Sequence, residues 1–118
     1  MQIDVTPKNK VMIFSLNLYD EIKWEKAEGY GEGAMRKVLR DEKGCKTVLL
    51  KLPKHFHMNA HSHVNAEQHF VIEGNYTINN IPFGPGSYQR IPANEEHGSF
   101  DSEDGVLLLV MWDPVKSN

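Results

Sequence analysis

Residues 61–74 read His-Ser-His-Val-Asn-Ala-Glu-Gln-His-Phe-Val-Ile-Glu-Gly and contain three of the six histidines of the chain. On a β-strand, residues two apart point to the same face, so His61 and His63 project into one space. Glu67 and His69 are also at odd-numbered positions, so they would point to the same face in a continuous strand. A loop over residues 64–66 would interrupt this alternation. The stretch therefore predicts a cluster of imidazole and carboxylate groups on one strand face.

A second stretch of interest, residues 86–101, reads Gly-Ser-Tyr-Gln-Arg-Ile-Pro-Ala-Asn-Glu-Glu-His-Gly-Ser-Phe-Asp. If His97 lies on a strand that faces or neighbours the first one, three imidazoles and the Glu67 carboxylate converge. That donor set suits one divalent metal such as Zn, Fe, Ni, Mn or Co, whereas Ca and Mg need an oxygen-rich cage. His-x-His spacing by itself is a weak signal for metal binding.

Short segments of β-branched, aromatic and large apolar residues alternate with Gly, Pro and Asn along the whole chain, at a spacing of roughly 8–12 residues. This pattern is typical of an all-β sandwich or barrel. The predicted strands are Val11–Leu16, Ala34–Arg40, Thr47–Leu52, His69–Ile72, Tyr76–Ile78, Ser87–Ile91 and Val106–Trp112. Asn79-Asn80 predicts a tight hairpin, because Asn tolerates positive φ. Residues 19–27 are open to two interpretations, a short helix or an edge strand.

Length and composition favour one compact domain over residues 1–118, with no room for a second domain and a linker. Cys45 is the only cysteine, which excludes an internal disulfide and a zinc site built on cysteine pairs. The net charge of −3 argues against nucleic-acid binding. We find neither a secretory signal nor an apolar run long enough for a membrane helix, so we expect a cytoplasmic protein without a membrane partner.

The two stretches together resemble the paired motifs of the cupin superfamily, motif one over about 61–74 and motif two over about 86–101. In motif one, His61, His63, Glu67 and the closing Gly74 match. In motif two, Gly86, Pro92 and His97 match, while Asn94 stands for a glycine and Asp101 or Ser99 for an asparagine. The opening glycine of motif one is replaced by His55. None of these departures touches the ligand positions.

The resemblance implies a single antiparallel jelly-roll β-barrel that holds one divalent metal on His61, His63, Glu67 and His97. The chain is similar in particular to the zinc-binding cupin domain of a bacterial anti-sigma factor, but because we expect no added sigma-binding helical domain, the resemblance does not imply an anti-sigma role. Many cupins with this ligand set are metal-dependent dioxygenases, isomerases or decarboxylases acting on a small organic molecule. Glu67 would then be catalytic, taking a proton as general base. The alternative is a non-catalytic module that senses a metal or a ligand.

Other residues are candidates for the surroundings of that metal. His69 is a candidate neighbour or proton shuttle, a replacement ligand for Glu67, or a packing residue. Tyr88 and Arg90 share a strand face, and if it points inward they could orient a substrate carboxylate. If it points outward, Arg90 is simply solvated. His55 and His57 are expected at the barrel mouth or in solvent.

Small cupins are commonly homodimers. By that analogy we expect the apolar run Val11-Met12-Ile13-Phe14 to pack or swap across an interface between two copies. Most of the following residues are expected in the core or at that interface: Met35, Met58, Met111, Phe56, Phe70, Phe83, Phe100 and Trp112.

Overall fold

The computed structural model describes residues 13–62 and 64–114, which form ten β-strands and, within those ranges, no helix. The strands are β1 (Glu25–Lys26), β2 (Met35–Glu42), β3 (Cys45–Leu52), β4 (Phe56–Met58), β5 (Glu67–Gly74), β6 (Tyr76–Ile78), β7 (Ile81–Phe83), β8 (Tyr88–Ile91), β9 (Phe100–Ser102) and β10 (Val106–Trp112). The described part therefore contains no helix long and apolar enough to cross a membrane.

The strands form two sheets in which every pair of neighbouring strands is antiparallel. One sheet has six strands in the order β1-β2-β3-β10-β5-β8, and the other has four in the order β4-β9-β6-β7. Strands far apart in sequence are neighbours, as β3 and β10 are, which is the crossed connectivity of a jelly-roll barrel. The predicted all-β fold is confirmed.

The hydrophobic core lies between the two sheets and takes alternate residues from each strand. In β10, Val106, Leu108 and Val110 are buried, and their register partners on β3 are Leu52, Leu50 and Val48. Tyr76 and Phe100 stack from the smaller sheet, with ring centroids 4.2 Å apart. Because successive side chains of a strand point to opposite faces, the buried apolar residues determine which face of the strand points into the core.

The predicted turns occur where positive φ is required. Asn79 and Asn80 have φ of 52° and 65° between β6 and β7, as expected for a tight hairpin. Gly74 ends β5 with φ of 77°, and it packs so closely on Gly105 that a Cβ atom there would overlap the Gly105 carbonyl oxygen. This close approach joins the ends of β5 and β10.

The region before β2 differs from the prediction. Residues 19–27 contain turns and the two-residue edge strand β1, so the helical interpretation is wrong. Trp24 packs instead against two lysine side chains, with the Lys37 Nζ 4.8 Å from its ring centroid. Of the predicted strand Val11–Leu16, residues 11 and 12 lie outside the described residues. Residues 13–16 form no strand, because they have no backbone partner in either sheet, and Ile13 is 84% exposed.

Candidate metal centre

His61 and His97 lie side by side, although 36 positions separate them in the sequence. Their main chains form an isolated antiparallel bridge, in which the His97 N–H donates to the His61 carbonyl at 3.0 Å and the reverse bond is 3.3 Å. Their ring centroids are 4.2 Å apart, in an edge-to-face arrangement. The main chain therefore holds these two predicted ligands together without relying on their side chains.

Both imidazoles are set in the same tautomer by a backbone carbonyl. Nδ1 of His61 donates to the Asn59 carbonyl at 3.0 Å, and Nδ1 of His97 donates to the Gly98 carbonyl at 3.0 Å. A carbonyl only accepts hydrogen bonds, so the proton of each neutral ring lies on Nδ1 and the lone pair on Nε2. Histidine ligands of metals in proteins commonly have one ring nitrogen anchored in this way, which fixes the tautomer and the orientation of the ring.

Glu67 begins β5 with its side chain in the barrel interior, where it is only 2% exposed. One carboxylate oxygen, Oε1, accepts a hydrogen bond from His69 Nε2 at 2.7 Å. The other, Oε2, accepts one from the Trp112 indole N–H at 3.0 Å. A carboxylate this buried is costly unless its oxygens are hydrogen-bonded, and these two donors offset that cost.

His69 also points inward, two residues along β5, and it connects Glu67 to a chain of polar groups. Its Nδ1 lies 3.3 Å from the Tyr76 hydroxyl, which donates in turn to Gln89 Oε1 at 2.9 Å. Burial, and to a lesser extent the charge of Glu67, raises the pKa of Tyr76 above its usual value of about 10. The hydroxyl therefore stays protonated and acts as a hydrogen-bond donor.

The predicted four-residue ligand set is only partly described. His63 lies outside the described residues. Among residues 13–62 and 64–114, no group of three His, Cys, Asp or Glu side chains is arranged so that it could hold a metal ion. What the structure does bring together is the His61–His97 pair. The chemistry of these donors, two imidazoles with Nε2 lone pairs and a buried carboxylate in the barrel, suits a transition metal.

Tyr88 and Arg90 lie on the outer face of β8, so the outward of the two orientations left open by the sequence is observed, and the pocket role proposed for the inward one does not apply. In the pairing of β5 with β8, the inward residues Glu67 and His69 lie opposite Ile91 and Gln89. Tyr88 and Arg90 therefore belong to the outer face, and both are exposed, Tyr88 by 54%. Ile91 is apolar and buried, and its burial determines that Gln89 points inward while Tyr88 and Arg90 point outward.

Two residues near Glu67 were not predicted as part of the site. Trp112 contacts Glu67 through its indole nitrogen, and the two residues are register partners on β10 and β5. Tyr30, in the turn after β1, packs against the core cluster. Burial, followed by the charge of Glu67, raises its pKa above the usual value of about 10, while Arg36 opposes the shift. Alternation in β10 placed Trp112 inward, but the sequence offers no sign of its partner.

His55 and His57 are exposed to solvent, as expected. His57, on β4, is hydrogen-bonded to Asp101 through Nδ1 and to Asn59 through Nε2, and both nitrogens donate when the ring is protonated. His55, in the turn before β4, pairs with Glu103 at 2.8 Å. The hydrogen bonds to Asp101 and Asn59, with the charge of Asp101, raise the pKa of His57 above its usual value of about 6.5. A raised histidine pKa stabilises the fold at low pH, and this contribution is lost as pH rises through the raised value.

We expect Asp101→Asn to lower the pKa of His57 toward about 6.5, because the substitution removes both the charge and the strongest acceptor. An NMR titration of the imidazole signals measures this directly. Glu103→Gln is the matched control, since Glu103 pairs with His55 and leaves the His57 contacts in place. A His57 pKa that is the same in the wild-type protein and in Asp101→Asn would contradict the assigned cause.

The chain matches the family model described as the ChrR cupin-like domain over residues 16–116. No curated protein matches the sequence. Among solved structures, the complex of SigE with the anti-sigma factor ChrR from Rhodobacter sphaeroides superposes with a TM-score of 0.69 and 21% identity. The match covers 80% of this chain and 51% of that chain, so the present chain spans about half of it.

Two further structures show the same fold. An RmlC-like cupin from Shewanella frigidimarina gives a TM-score of 0.67 at 18% identity and covers 87% of this chain and 95% of that one. An acetylacetone dioxygenase from Acinetobacter johnsonii gives a TM-score of 0.72 at 13% identity, covering 93% and 80%. At these identities the likeness establishes the barrel architecture and nothing about chemistry.

Proposed function

Because the chain belongs to the ChrR cupin-like family, we propose that it is a single-domain cupin binding one divalent transition metal. The proposed ligands are His61, His63, Glu67 and His97. The observation that carries the proposal is the His61–His97 pair, which the main chain holds together and in which Nδ1 of each ring donates to a backbone carbonyl. In such a site Nε2 of each ring would be the atom that binds the metal. Such a metal would act as a Lewis acid and as a template for a bound organic molecule.

The activity that we propose is that of a metal-dependent dioxygenase acting on a small organic molecule. This choice is made by analogy with an acetylacetone dioxygenase that shares the fold. Glu67 would act as general base, taking a proton from the substrate carbon or hydroxyl. Its burial supports this role, since a carboxylate shielded from solvent water exchanges its proton with a bound molecule rather than with bulk solvent. Isomerisation would use the same base, whereas in a decarboxylation the protonated Glu67 would supply the proton that carbon takes up after CO₂ leaves; both belong to the proposal.

A second candidate function is a non-catalytic module that senses a metal or a ligand. The family description supports it, because that family takes its name from an anti-sigma factor, and one neighbouring structure is that factor in complex with SigE. In this case the metal would be zinc, which has no redox chemistry. It would then close the barrel or hold a ligand.

Metal identity and oxygen consumption together separate the two functions. For an oxygenase, we expect Fe, Ni, Mn or Co in protein purified without added metal, and oxygen uptake with a β-diketone such as acetylacetone. Glu67→Gln is the test variant, because it keeps the shape of the side chain but removes the base, and uptake should fall by about 10²–10⁴-fold. Zinc together with no uptake across a panel of diketones would contradict the oxygenase and favour the sensor.

We also propose that the chain acts in the cytoplasm and forms a homodimer through its N-terminal apolar run. Of that run, Ile13 and Phe14 belong to the described residues, and both are strongly exposed. Ile13→Ser with Phe14→Ser should therefore shift the protein from dimer to monomer in light scattering coupled to size exclusion. Ile81→Ser is the control, since Ile81 is similarly exposed on β7. A wild-type protein that elutes as a monomer at all concentrations would contradict the dimer.

A further inference from the structure

The Glu67 carboxylate is fixed from two sides by groups on two different strands. The Trp112 indole N–H on β10 reaches Oε2 at 3.0 Å, and His69 Nε2 on β5 reaches Oε1 at 2.7 Å. Glu67 and Trp112 are direct register partners, so the hydrogen bond crosses between adjacent strands with little freedom in either backbone. All the side chains involved point into the barrel.

The donors are themselves held in place. His69 is buried, and its ring packs edge-to-face against Tyr76 and Phe100, with ring centroids 6.1 Å apart in both cases. Trp112 is partly buried and packs against the core cluster. A rigid indole has few rotamers to lose, so its N–H fixes the position of the carboxylate at low entropic cost.

We propose that Trp112 is a positioning residue, which holds the Glu67 carboxylate in the orientation in which it serves the metal centre. The inference rests on the proposed metal site and adds a residue outside the cupin motifs. A ligand that is already oriented loses little conformational freedom when the metal binds. Partners that orient metal ligands in this way typically change metal affinity by about 10–100-fold when they are removed.

The first test measures the hydrogen bond in the metal-free protein. The chain has two tryptophans, so its NMR spectrum contains two indole N–H signals, which Trp24→Phe assigns. We expect Glu67→Gln to move the Trp112 signal and to leave the Trp24 signal in place. Trp24 is a matched control because its Nε1 has no hydrogen-bond partner within the described part of the chain. An unmoved Trp112 signal would overturn the contact and with it the inference.

The second test is a double-mutant cycle on zinc affinity, measured by competition with a chelator. We expect Trp112→Phe to weaken zinc binding by about 10–100-fold in the wild-type background. In the Glu67→Gln background, it should have almost no further effect, because the carboxylate through which Trp112 acts is absent. A structural role would give the same loss in both backgrounds, and that result would overturn the inference.

The two tests distinguish failure of the inference from failure of the proposed function. If wild-type protein binds no zinc, the proposed metal centre is wrong, and the inference falls with it. If it binds zinc with the same affinity as Trp112→Phe, the metal centre stands and only the role of Trp112 is refuted. Circular dichroism of each variant establishes that the barrel is folded before its affinity is compared.

Discussion

Replacing His61 and His97 together with alanine is expected to abolish metal binding while the barrel stays folded. Four-ligand zinc sites bind with roughly 10–16 kcal/mol, so losing two of four ligands should weaken affinity by at least about a thousandfold. The bridge that joins the two residues consists of main-chain hydrogen bonds, which alanine retains. Metal content after dialysis, measured by mass spectrometry, is the readout.

The matched control is the double variant His55→Ala with His57→Ala. His57 lies on β4 and His55 in the turn before it, and they pair with Asp101 and Glu103, away from the proposed site. We expect the control to keep the metal content of wild-type protein. Full metal content in His61→Ala with His97→Ala would refute the ligand assignment, and equal losses in both double variants would indicate nonspecific binding to histidine.

Gly74→Ala is expected to cause a large loss of stability. The new Cβ would overlap the carbonyl oxygen of Gly105 and lie 2.9 Å from Cα of Val106, and both are backbone atoms that side-chain rotation cannot move. The positive φ of 77° adds strain of about 1–2 kcal/mol. With about 1–3 kcal/mol more for overpacking, the free energy of unfolding should fall by roughly 2–5 kcal/mol in urea titrations.

Gly86→Ala separates the two contributions. Gly86 has a similar φ of 88°, but a Cβ there has no heavy atom within 4 Å. Its unfolding free energy should therefore fall by only about 1–2 kcal/mol, the strain term alone. If Gly74→Ala and Gly86→Ala lowered the free energy of unfolding equally, the overlap of the new Cβ atom with Gly105 would contribute nothing to the loss of stability in Gly74→Ala.

Much of the architecture could be predicted from local patterns. Tyr76–Ile78 and Val106–Trp112 have the predicted bounds, because apolar runs bounded by Gly, Asn or Pro have few alternatives to a buried strand. The Asn79-Asn80 hairpin follows from the tolerance of Asn for positive φ. The resemblance to two cupin motifs then supplied the barrel topology, which no local pattern contains.

The limits of prediction appear where a result depends on which face of a strand points inward or on which strands become neighbours. Alternation in β8 showed that Tyr88 and Arg90 share a face, but only the pairing with β5 shows that Gln89 and Ile91 face inward. The contact of Trp112 with Glu67 joins positions 45 residues apart and depends on the register of β10 with β5. Residues 19–27 show no clear period in hydrophobicity, so the sequence left helix and strand open there. In the structure Trp24 of this segment packs against Lys37 on β2, a contact that no local pattern predicts.

The most direct test of the central claim is the metal content of the wild-type chain, purified without added metal and measured by inductively coupled plasma mass spectrometry. We expect one Zn, Fe, Ni, Mn or Co ion per chain, or saturation at one ion per chain when zinc or cobalt is added to the metal-free protein. A chain that is folded, contains no transition metal and takes up none on addition would contradict the proposed metal centre.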